Sequence, residues 1–127
     1  MIEVNDQQFN DVIAESIDEL PQEYTSRLNN VLITFEDIPS EQQRHKLQLR
    51  CNESLFGLYE GIPLTSRGSG YNMVIPDRIT IFKMPMLQFA NDIGSLKTQV
   101  KHTLWHEIAH YFGLNHDRIH EIERNWK

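Results

Sequence analysis

Five of the six histidines lie between positions 102 and 120. Within that stretch runs His106-Glu107-Ile108-Ala109-His110-Tyr111-Phe112-Gly113-Leu114-Asn115-His116, an H-E-x-x-H-x-x-G-x-x-H pattern. Four residues make slightly more than one helical turn, so on a helix His106 and His110 project from one face and both imidazoles can hold one metal ion. Gly113 can adopt a positive φ, end the helix and let the chain bring His116 back as a third ligand. Three nitrogen ligands with a fourth position open to water are the arrangement of a catalytic zinc site. Glu107 is rotated by about 100° from His106 around the helix, which sets its carboxylate beside the metal rather than on it. From there it can take a proton from a zinc-activated water and later hand it to a leaving amine. The expectation is one Zn²⁺ on His106, His110 and His116, with Glu107 as general base. The full pattern arises by chance in only about a few per 100,000 chains of this length, on uniform residue usage.

These residues need a rigid helix and a cleft. A helix is predicted from about Ser95 to Phe112, stopped by Gly113, and a last one over about Asp117 to Asn125. Leu96, Val100, Leu104 and Ile108 form an i, i+4 stripe flanked by Trp105, Ala109 and Phe112, which is read as core. Upstream, Phe9, Val12, Ile13, Ile17 and Leu20 recur at helical spacing behind an Asn5/Gln8 cap, and Pro21 ends that helix or starts a short second one. Val31 to Phe35, Leu55 to Glu60 and Arg78 to Phe82 read as strands. Ser40 to Arg50 is a surface helix or a loop, with Ser40 and Gln43 shaped like a capping box. Arg67-Gly68-Ser69-Gly70 reads as loop, and Met84-Pro85-Met86 as a turn used for packing. The predicted class is α+β, with helices packed on a short mixed β-sheet and the histidine motif on the long helix of the C-terminal half.

Composition bounds the rest. A chain of 127 residues is the size of one domain, so residues 1–127 are taken as one unit. Twelve basic against eighteen acidic side chains give a net charge of −6, unfavourable for non-specific nucleic-acid binding. The lone Cys51 cannot form an internal disulfide. No apolar run reaches the roughly 18 residues of a membrane span, and the acidic start Met1 to Asp6 is unlike a signal peptide. A cytoplasmic location, without membrane or nucleic-acid partners, is therefore expected. Oligomeric state is not legible.

The resemblance to known proteins extends beyond the motif. Gly57-Leu58-Tyr59-Glu60-Gly61-Ile62-Pro63-Leu64, Pro76-Asp77-Arg78-Ile79 and the Phe112-Gly113-Leu114 junction follow one another as in the minimal zincin-type metallopeptidases of bacteria. The chain resembles that family from roughly Phe9 to Glu121. The resemblance implies a small α+β zincin-like core and zinc-dependent hydrolysis of peptide or unfolded-protein substrates. Many members carry Asp where His116 stands, whereas a third His is metzincin-like. Yet Met1, Met73, Met84 and Met86 all precede the motif and 11 residues follow His116, so a metzincin methionine turn is missing. Asp117 and His120 are thus alternative third ligands. By the same resemblance, an extended substrate is expected to pair with an edge strand beside the active helix, assigned to Ile79 through Lys83.

Lesser candidates surround the motif. Tyr71 and Tyr111 could stabilise a tetrahedral oxyanion. Arg78 could bind a substrate carboxylate, His102 could shape the cleft, and Glu121 is a weaker alternative to His120. Cys51 reads as an inert thiol. Two other functions compete with the peptidase. One is a metal-dependent endoribonuclease, since a family of such enzymes shares the H-x3-H-x5-H spacing. The other is a metal-stabilised binding module with little or no protease activity. The negative charge and Glu107 both favour the peptidase.

Overall fold

The computed structural model of the chain describes residues 2–50, 56–62 and 76–125. Cys51, the Arg67-Gly68-Ser69-Gly70 loop, Tyr71 and Met73 lie outside them. In chain order the elements are α1 (Asp6–Glu19), α2 (Gln22–Thr25), β1 (Val31–Glu36), α3 (Glu41–Arg50), β2 (Gly57–Glu60), β3 (Asp77–Phe82), α4 (Lys83–Phe89), α5 (Ile93–Phe112) and α6 (His116–Arg124). The class is α+β, with helices packed on a small mixed sheet.

Local chemistry accounts for most boundaries. Asn5 accepts from the Gln8 amide while the Gln8 side chain accepts from the Asn5 amide, both at 2.8 Å, a complete capping box. Ser40 and Gln43 build the same box on α3, at 2.8 and 3.1 Å. Asp92 and Ser95 build a third at the head of α5. The Met84-Pro85-Met86 segment is not a turn: it lies in α4. Pro85 is the third helical residue, where amides have no intrahelical acceptor, so the missing N–H costs nothing.

The sheet order is β1-β3-β2. β1 runs parallel to β3, from Val31↔Asp77 to Glu36↔Phe82. β2 runs antiparallel to it, from Gly57↔Ile81 to Glu60↔Arg78. The strand assigned from sequence as the substrate-pairing edge is therefore the central one, and Lys83 already begins α4. Its composition carries the reason: Ile79, Thr80, Ile81 and Phe82 are all fully buried, as in a strand covered on both faces and both edges. Among the described residues, β2 lies at an edge of the sheet.

α1 packs on α5, and α5 lies across β2 and β3. The predicted stripe is the heart of this packing, since Leu96, Val100, Leu104 and Ile108 have no exposed surface. Phe9, Val12 and Ile13 from α1 meet it in the same core, together with Ile79 and Ile81. Gly57 brings the backbone of β2 unusually close to α5, for a Cβ there would sit 2.7 Å from Thr103 Cγ2. A strand held that close can exchange hydrogen bonds with side chains of the helix.

Candidate metal centre

α5 carries His106 and His110 one turn apart, and the turn after it returns His116. Gly113 takes the left-handed conformation (φ 77°, ψ 23°), its N–H bonds to His110 O at 3.0 Å, and Leu114 N–H bonds to Ala109 O at 3.1 Å. These bonds satisfy the last carbonyls of α5. Asn115 then caps α6 by accepting from the Arg118 amide at 2.9 Å, leaving His116 as the first residue of that helix. A latch holds α6 down: Ile119 is fully buried, and the Trp105 indole N–H donates to Ile119 O at 3.3 Å. Trp105 adjoins His106, so one turn of α5 both supplies a histidine and anchors the helix that supplies another.

The three rings converge. Centroid separations are 4.8 Å for His106–His110, 5.5 Å for His106–His116 and 5.7 Å for His110–His116. One nitrogen from each lies within 4.8 Å of the other two. Neither Asp117 nor His120 belongs to this group. His120 Nδ1 lies 3.8 Å from a Glu123 carboxylate oxygen, and His102 Nδ1 lies 3.4 Å from the same oxygen. His106 is buried at 4% exposure, and the other two are half-buried. Three imidazoles without a thiolate fit the ligand preference of zinc and leave a coordination position for a reactant.

Residues 28–126, well over half of the chain, match the model of the zincin-like metallopeptidase family. The chain belongs to that family. No curated protein matches it. Membership implies a zinc cofactor and a peptidase, and in this zincin-like chain the histidine cluster is where such an ion fits. Among the described residues, no helix is long and apolar enough to cross a membrane.

Glu107 is 2% exposed. Its Oε1 accepts a hydrogen bond from the main-chain N–H of Tyr59 on β2, at 2.9 Å. The bond follows from strand geometry. Phe82 N–H bonds to Phe56 O at 2.8 Å, and antiparallel pairs alternate, so the amides of Gly57 and Tyr59 turn away from β3. No residue pattern signals this contact, because a main-chain amide has no signature of its own. Tyr111 is put to a use other than the one considered for it. It is 1% exposed, and its hydroxyl accepts from Asn29 N–H at 3.3 Å and donates to Asn29 O at 3.2 Å. That pins α5 to the segment entering β1. Arg78 is exposed on β3, 3.8 Å from Glu36. Glu121 pairs with Arg118 at 2.8 Å.

The left-handed turn yields a stability prediction. Gly113→Ala places a Cβ in a conformation that costs about 1–2 kcal/mol for an L-residue, so Tm is expected to fall by on the order of 5 °C. Zinc affinity should weaken with it, because the same turn sets His116. Thermal melts with and without zinc check this: a larger loss of Tm in the zinc-loaded protein than in the apoprotein is the expected sign of coupling.

Proposed function

We propose that this chain is a peptidase of the H-E-x-x-H-x-x-G-x-x-H type, using one Zn²⁺ held by His106, His110 and His116 and with Glu107 as general base. The observation that carries the reading is the convergence of three imidazoles, with the carboxylate of the residue next to His106 in the chain fixed by a backbone amide. Zinc bound there supplies Lewis acidity, polarising a peptide carbonyl and lowering the pKa of water. Glu107 receives the proton of the attacking water on Oε2 while Oε1 stays with the Tyr59 amide. It then passes that proton to the departing amine nitrogen, which would otherwise leave as a poor amide anion. Burial of Glu107 and His106 keeps bulk water from competing for these bonds. Residues 1–127 are proposed to act as one domain in the cytoplasm on peptides or unfolded proteins.

A paired assay tests the reading. Zinc-loaded protein is expected to cleave an unstructured protein and a peptide library while leaving RNA intact, and a chelator should stop the cleavage. RNA cleavage would transfer the site to the endoribonuclease class. Zinc binding without hydrolysis of either polymer would make the chain a metal-stabilised binding module.

A further inference from the structure

A buried carboxylate at the start of β3 is not used by the chemistry above. Asp77 is 3% exposed, yet it accepts a hydrogen bond from the Tyr59 hydroxyl at 2.6 Å. Tyr59 is itself 2% exposed, and its main-chain N–H is the donor that holds Glu107. One residue thus donates two bonds, from its side chain to Asp77 and from its backbone to Glu107. The surroundings are built around this link. Asp77 N–H bonds to Asn30 O at 3.0 Å, which ties the carboxylate to the entry of β1. The Gly61 backbone presses against the Asp77 carboxylate so closely that any Cβ there would collide with Asp77 Cγ. The Tyr59 ring also meets the Tyr111 ring edge-on at 6.2 Å between centroids.

A buried acid is costly to desolvate, and an apolar pair of similar shape would give comparable or better stability. What an acid and a phenol provide that an apolar pair lacks is a directional bond of fixed length. We propose that Asp77 is a positioning residue for Glu107. Acting through the Tyr59 hydroxyl, it fixes the β2 backbone at the height where the Tyr59 amide holds Oε1 of Glu107. The proposal rests on the peptidase reading for its catalytic consequence, but the mechanical link from Asp77 to the Tyr59 amide does not.

The test uses Asp77→Ala, the conservative Asp77→Asn, and the double variant Tyr59→Phe/Asp77→Leu. The double variant removes the bond without stranding a buried polar partner, so it serves if Asp77→Ala does not fold. The first readout needs neither zinc nor activity: amide hydrogen exchange at Tyr59, followed by NMR in the apoprotein. Protection at Tyr59 is expected to fall about tenfold or more in Asp77→Ala or the double variant, with Ile79 little changed, and Asp77→Asn should restore most of it because it keeps an acceptor oxygen. The second readout is kinetic. A displacement of about 1 Å at a catalytic group costs on the order of 10²-fold, so kcat is expected to fall by about 10- to 100-fold. KM and zinc affinity should stay within about twofold, because neither depends on the Glu107 carboxylate. In a Glu107→Gln background the same changes should have almost no further effect on kcat.

Unchanged Tyr59 exchange in folded variants that lack the bond overturns the proposal. So does a kcat loss of equal size with and without Glu107, or a parallel loss of zinc affinity, which would make Asp77 a structural residue. If the wild type hydrolyses no peptide, the exchange experiment still decides the link from Asp77 to Tyr59, and it is the peptidase reading that fails.

Discussion

Glu107→Gln is expected to keep its zinc and lose peptide hydrolysis by about 10²–10⁴-fold, the usual worth of a positioned general base. The substitution is nearly isosteric. Its side-chain oxygen can still accept from the Tyr59 amide at the position where Oε1 now sits, 2.9 Å away, so the buried donor keeps a partner and the fold has little reason to change. What disappears is the ability to hold and release a proton. The three imidazoles are untouched, and so elemental analysis should find the same zinc content as in the wild type. Loss of zinc together with activity would make Glu107 part of the metal site's structure. Full turnover under metal-replete conditions would remove it from the mechanism.

The second large effect concerns the metal itself. His106→Ala and His110→Ala are each expected to abolish tight zinc binding, a loss beyond the roughly 10–100-fold that outer-shell changes cost. Both residues sit in the last two turns of α5, and among the described residues no further side chain joins the group of three. His116→Ala should follow closely, because its ring lies 5.5 Å from His106 and 5.7 Å from His110 between centroids. Asp117→Ala and His120→Ala should change affinity by no more than a few-fold. Competition against a chromophoric chelator measures the whole series at once. A ranking with Asp117 or His120 above His116 would move the third ligand and end the metzincin-like assignment.

The two predictions draw on different kinds of information. The three histidines, the glutamate and the glycine stop are visible in the sequence because each depends on local rules. Helical spacing puts His106 and His110 on one face, and a residue free to adopt positive φ must follow Phe112 if the chain is to turn back. The caps at Asn5, Ser40 and Asp92 are equally local, as is the Leu96-Val100-Leu104-Ile108 stripe, whose period is that of the helix. Resemblance supplied the zincin-like class, and the family match bears it out.

Strand order was not legible, because it depends on which strands find each other across long separations rather than on any one segment. Arg78 to Phe82 reads as a strand in isolation, and nothing in its own residues says that β1 arrives parallel on one side and β2 antiparallel on the other. α4 was hidden by Pro85, which breaks a helix in the interior and is tolerated in the first turn. Tyr111 has a phenol that by residue type can serve an oxyanion or the core, and it is the packing of α5 against the entry to β1 that gives it to Asn29. The sequence by itself determined the chemical groups and the helix that presents them, because those follow from residue type and a period of 3.6. The tertiary structure alone decided what holds the Glu107 carboxylate. That holder is the backbone N–H of Tyr59, a group every residue but proline owns, given its role only by the register of β2 against β3 and the close approach of Gly57 to α5.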